Sequence, residues 1–142
     1  MRALGNAEVQ KETLRALGNM FSTIEDRTRA GNANAVEAVA AATRAHSENA
    51  EVQKWACSAL GNITSTIEET RTRAGNANAV EAVAAAMRAH SGNAEVQEWA
   101  CFALGNITST IEANRTRAGK AGAVEAVVAA MCAHSGNAEV QK

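Results

Sequence analysis

The pentapeptide Ala7-Glu8-Val9-Gln10-Lys11 returns at residues 50–54 and 138–142, and at 94–98 with glutamate in place of the lysine. The intervals are 43, 44 and 44 residues, and residues 50–93 differ from 94–137 at only 8 of 44 positions. Divergence this small points to recent duplication or to design. A chain made of near copies of one unit buries the apolar face of each unit against its neighbours and builds its core by stacking. A period in the forties belongs to units of two or three helices, so local periodicity should be helical throughout.

It is. Val52, Ala56, Leu60, Ile63 and Ile67 are spaced by four, four, three and four residues, which sets them on one face of a helix expected over Glu51 to Ile67. Val96, Ala100, Leu104, Ile107 and Ile111 repeat the stripe. Ser47-Glu48-Asn49 and Ser91-Gly92-Asn93 precede these helices, and their asparagines can accept from the first backbone N–H groups. Ala79 to His90 is alanine-rich and apolar nearly all round, the pattern of a helix packed between neighbours. The polar stretch Glu68 to Asn78 has room for a short helix ended by glycine or asparagine. Each unit therefore reads as short helix, medium helix, long helix.

Composition narrows the function. The 142 residues carry net charge −1, with 20% charged, 46% hydrophobic and 3% aromatic residues, no proline and 34 alanines. That balance gives no electrostatic basis for binding nucleic acid or an acidic membrane. No apolar run approaches a bilayer span, and Met1 to Asn6 leads into polar residues instead of a signal-peptide core. Three cysteines are too few for the disulfide framework of a small secreted domain. The expected location is cytoplasmic, with the nucleus as the alternative.

The third copy contains Asn114-Arg115, then Ala121-Gly122-Ala123-Val124-Glu125-Ala126-Val127-Val128, and the long-helix segments Asn93-Ala94-Glu95-Val96-Gln97 and Ala103-Leu104-Gly105-Asn106-Ile107. In these residues, and in the three-helix unit, the chain resembles the armadillo repeat over essentially its whole length. The resemblance implies an all-α, right-handed α-solenoid of about three repeats in one domain: a partial repeat 1–49, repeats 50–93 and 94–137, and the start of another at 138–142. HEAT-like packing is the alternative if Glu68 to Asn78 forms no helix. There are departures: Asn34 and Asn78 stand where glycine is expected, the second helix lacks proline, and the first copy is one residue shorter between Ile24 and Gly31.

Armadillo-type solenoids bind extended peptides along the concave surface lined by their long helices, and an asparagine near the end of each long helix bonds the peptide main chain. Here the matching residues are Asn19, Asn62 and Asn106. An amide suits that task because it both donates and accepts. Trp55, Ser58, Asn62 and Thr66 form a stripe beside the apolar face, as do Trp99, Phe102, Asn106 and Thr110. Armadillo grooves often carry tryptophan one turn before the asparagine; Phe102 matches that place, whereas Ser58 and Arg15 do not. Trp55 and Trp99 serve either as pocket walls or as core packing. Glu12 and Arg15 replace the aromatics in the first copy, so a groove along these helices would change from charged to aromatic.

Other recurrent groups read as structural. His46, His90 and His134 recur one repeat apart, about 10 Å at the usual helix spacing, against about 2.1 Å for a zinc–nitrogen bond. They suit the negative ends of the second helices. Cys57, Cys101 and Cys132 read as small buried residues without an activating partner. The Arg-Thr-Arg motifs at 27–29, 71–73 and 115–117 are expected on solvated faces, pairing with Glu25, Glu68 or Glu112. The glycosylation patterns at Asn62, Asn106 and Asn114 are expected to be accidental. No nucleophile, base and orienting group assemble from spacing, so the expectation is a non-catalytic protein without cofactor or metal.

The ends suggest a second use. The first clear element, Ala7 to Ile24, reads as a long helix without its two predecessors, and 137–142 begins another long helix for six residues. Apolar faces lacking polar caps should meet between molecules. Val124, Val127 and Met131 are the residues expected to mediate self-association, the alternative to binding a protein or extended peptide segment.

Overall fold

The computed structural model describes residues 7–20, 34–65, 67–134 and 136, and within them every regular element is a helix. The helices are α1 (Ala7–Met20), α2 (Ala35–Ala45), α3 (Ala50–Ile63), α4 (Glu68–Asn76), α5 (Ala79–Ala89), α6 (Ala94–Thr108), α7 (Glu112–Lys120) and α8 (Ala123–Ala133). Equivalent helices stack: α1 on α3 on α6, α2 on α5 on α8, and α4 on α7. A medium helix also packs on the long helix that follows it, α2 on α3 and α5 on α6. The polar segment expected as a short helix forms one twice, as α4 and α7.

The long helices begin where their caps say they should. Asn49 Oδ1 accepts from Val52 N–H, and Asn93 Oδ1 accepts from Val96 N–H, each at 3.1 Å. They end earlier than expected. Ile67 and Ile111 lie outside α3 and α6, in extended backbone at the N-caps of α4 and α7. The reason is chemical capping: the Thr64 hydroxyl turns back to Leu60 O at 2.6 Å, and Arg71 donates to Thr64 O and Ser65 O, both at 2.7 Å. The Thr64 and Ser65 carbonyls taken by Arg71 are the ones that further turns of the helix would have used.

The buried stripe is otherwise the expected one, with Val52, Ala56, Leu60 and Ile63 in α3 and Val96, Ala100, Leu104 and Ile107 in α6. Most of it joins one core that runs from Leu14 to Ala130, so successive units share their apolar contacts instead of forming separate cores. Where α4 turns into α5, Asn78 adopts φ 62°, and Asn34 does the same before α2. Gly122 holds the equivalent place with φ 76°. Asparagine tolerates this left-handed conformation better than most side chains, which explains why it can stand in for glycine here.

Polar groups tie one repeat to the next at matching positions. Buried Gln53 donates from Nε2 to Thr43 O (3.0 Å) and His46 O (2.8 Å), and Gln97 does so to Met87 O (3.1 Å) and His90 O (2.9 Å). Arg44 reaches Ala77 O at 3.0 Å and Arg88 reaches Ala121 O at 3.1 Å. These bonds satisfy carbonyls at helix ends, where backbone acceptors lack intrahelical partners.

Candidate functional site

At the C-terminal end of the stack, α6 and α8 form the walls of an open, mainly apolar trough of about 960 Å³. Trp99, Phe102 and Asn106 line it from α6, and Val124, Val127 and Met131 from α8. The structure therefore brings into one surface two sets of residues that the sequence assigned to separate roles, groove and self-association. Trp99 and Phe102 meet edge to face, with ring centroids 5.5 Å apart and planes at 80°. That arrangement fits the positive edge of one ring to the negative face of the other.

The trough is apolar because its residues occupy core positions of the repeat. Val80 and Met87 on α5 are 0% and 2% exposed, whereas Val124 and Met131, at the same places on α8, are 62% and 45% exposed. Val128 is likewise open, where its equivalent Ala84 is buried. In the middle of the stack these side chains are covered by the following helices. On α8 they face the trough.

Phe102 and Asn106 also show how one long helix sits on another. The Phe102 ring lies over Gly61, so closely that a Cβ there would overlap it, and Asn106 Nδ2 donates to Gly61 O at 2.8 Å. Gly105 is the equivalent glycine on α6, and a Cβ added there meets nothing within 4 Å. One repeat has its long-helix seat filled, and the other presents the same seat open.

The remaining candidates separate. Trp55 and Trp99 are half-buried and packed against the core, each combining packing with a partly exposed face. Lys54 Nζ lies 4.7 Å from the Trp55 ring centroid and bridges to Glu95 of the next repeat at 3.2 Å. Ser58, expected to line the groove, is buried instead, because its short side chain sits on a helix packed on both sides by α1 and α6. Asn62 is half-buried on α3. The side chain of Asn19 lies outside the described residues, as do Thr66, Glu25 and the first Arg-Thr-Arg motif. Glu12 and Arg15 are exposed and paired at 2.6 Å. The hydrogen bond from Arg15, and then its charge, hold the Glu12 carboxyl below the ordinary range.

Two expectations about arginines and cysteines need correction. Arg71 and Arg115 do not pair with Glu68 or Glu112; Arg115 donates to Thr108 O and Ser109 O at 3.0 and 3.1 Å, capping α6 as Arg71 caps α3. A guanidinium offers several donors to a cluster of helix-end carbonyls, which a carboxylate at the start of the next helix cannot replace. Cys57 is buried, Cys101 half-buried in the trough wall, and Cys132 exposed, not buried as expected. Burial pushes the Cys57 thiol up to about 12, with a smaller contribution from Cys101, and burial raises Cys101 too.

His46, His90 and His134 sit at the helix ends as expected, and the rings of His90 and His134 also reach the preceding repeat. His90 Nε2 is 2.8 Å from Ser47 O, and His134 Nε2 is 2.9 Å from Ser91 O. Among the described residues, no cluster of three or more His, Cys, Asp or Glu side chains could hold a metal ion. Asn114 is a residue whose role the sequence concealed. It is buried and donates to Ile107 O (2.9 Å) and to Arg71 O of the preceding repeat (2.8 Å), while packing against Gly75. Its burial leaves the glycosylation pattern at that position inaccessible in the folded chain. Among the described residues, no helix is long and apolar enough to cross a membrane.

No family model matches this sequence. No curated protein matches it either. Solved structures do. An engineered protein from the Northeast Structural Genomics Consortium is 30% identical, with a TM-score of 0.82 over 99% of this chain and 59% of its own. A second engineered protein from the same consortium is 26% identical, with a TM-score of 0.83 over 99% of this chain and 60% of its own. This chain thus spans about three fifths of the engineered proteins it matches, and along its whole length it is similar to them in fold.

Proposed function

We propose that this protein is a non-catalytic scaffold of armadillo-type repeats, a right-handed α-solenoid that binds a protein segment in the trough between α6 and α8. The short helices α4 and α7 support three-helix armadillo units over HEAT-like pairs. The observation that carries the binding reading is the exposure of core-type side chains, Val124, Val128 and Met131, beside Trp99 and Phe102 in one trough. Burying such a surface is the main favourable term in protein association, and aromatic anchors in a pocket contribute a large part of it.

The geometry favours a helical segment over an extended one. The seat has the shape of the α3–α6 contact, and the Asn106 amide donates to Gly61 O at the seam between those two helices. A labelled peptide with the sequence of residues 94–111 is the appropriate probe, because its phenylalanine can lie on Gly105 as Phe102 lies on Gly61. Such a peptide is marginally helical alone and folds as it docks. Saturable binding by fluorescence anisotropy, weakened by Met131→Glu, is expected. Binding unchanged in that variant, or none at all, would reject the trough as the working surface.

A further inference from the structure

We propose that the occupant of the trough is a second copy of this chain, seated through its α1, so that copies stack head to tail. This rests on the trough being a binding surface, and adds the identity of the partner. The interface is a continuation of one the chain already contains. In α3 and α6 the residues Val52, Ala56, Ala59 and Val96, Ala100, Ala103 are fully buried under α2 and α5 and their surroundings. In α1 the equivalent Val9, Thr13 and Ala16 are exposed. The face that α8 presents is the one α2 and α5 use to cover such residues. One copy carries the unfilled seat and the other carries a helix of matching register.

Register matches as well: α1 carries Arg15 at the position of Phe102 and Asn19 at that of Asn106.

The interface is weaker than its intrachain model at two places. Lys54 bridges to Glu95, but Glu98 replaces the lysine on α6, and Glu8 holds the place of Glu95 on α1, so like charges meet. Cys132 replaces Arg88, which removes the donor to the next repeat. Association is therefore expected to be reversible. Because donor and acceptor faces differ, it extends with concentration instead of closing as a dimer.

The test is the molar mass of the 142-residue protein by size-exclusion chromatography with light scattering across a wide concentration range. The expected result is a mass that rises past that of a dimer. Gly105→Leu should leave the helical fold intact, since the site has open space, and weaken association by about tenfold or more. Glu98→Lys should tighten it by about twofold to fivefold at low salt. Circular dichroism on each variant separates loss of docking from loss of fold. A protein that stays monomeric while binding the 94–111 peptide would overturn the second-copy assignment and leave the trough reading standing. Growth unaffected by Gly105→Leu and Glu98→Lys in folded variants would place association elsewhere and overturn it as well. Monomers that also ignore the peptide would reject both.

Discussion

Helices α5 and α8 differ at only two of their eleven residues, Ala84 to Val128 and Arg88 to Cys132, yet one lies inside the stack and the other lines its open trough. Val80, Val83 and Met87 are buried; Val124 and Met131 are exposed and Val127 is half-buried. The difference teaches that, in a repeat protein, a side chain's role is assigned by its neighbours more than by its own identity. An apolar residue is core where the next unit covers it and exposed surface where it is left uncovered.

Single substitutions can break this comparison. The largest expected contrast is between Met87→Ala and Met131→Ala. Removing the buried side chain should cost about 2–5 kcal/mol, and removing the exposed one within about 0.5 kcal/mol of nothing. Urea denaturation at low protein concentration measures both, and equal losses would mean that α8 is as well covered as α5. The two seam glycines should respond with opposite signs. Gly61→Ala forces the Phe102 ring aside and should destabilise by about 1–3 kcal/mol, while Gly105→Ala should stabilise by about 0.5–1 kcal/mol through helix propensity.

Caps offer a control in which the two regions should agree. Asn49→Ala and Asn93→Ala each remove one side-chain acceptor from a helix start and should each cost about 1 kcal/mol by thermal or urea unfolding. A large disparity would show that the repeats differ locally as well as in their neighbours. The cysteines give the smallest but most site-specific readout. At mildly alkaline pH a thiol reagent should modify Cys132 first, Cys101 next, and Cys57 only through opening of the fold. Protection of Cys101 on raising protein concentration would sharpen the case for a filled trough. The pH dependence has a definite sign. The Cys57 thiol ionises near 9.0 when unfolded and near 12 when folded, so the folded state holds the proton longer. Its effect on stability is absent below about 9 and becomes an increasing loss as pH rises toward 12.

Much of the architecture was legible because its causes are local. A repeat period, a stripe at helical spacing and an asparagine ahead of it involve residues within a few turns of one another. So Val52 to Ile63, the caps at Asn49 and Asn93, and the short helices α4 and α7 all appear where the residue pattern put them. The helix ends were less legible. Nothing in the spacing of Ile67 reveals that Arg71, on the following helix, would take the carbonyls that a longer α3 needs.

The candidate site divides the same way. Its residue types, Trp99, Phe102, Asn106, Val124, Val127 and Met131, could be picked out singly from periodicity and from the armadillo resemblance. Their meeting in one trough could not, because it depends on how α6 and α8 pack across the intervening α7. Ser58 shows the limit plainly: it shares its register with Phe102 but is buried between flanking helices.

By itself the sequence determined the repeating unit, the positions of its helices and the apolar face of each, since these follow from backbone hydrogen bonding and side-chain periodicity along one segment. Only the tertiary structure decided which copies of that face are covered, which glycine seats a ring and which stands open, and which amides serve the seams between repeats. Those outcomes depend on contacts made about a full repeat away, where identical local sequences meet different neighbours.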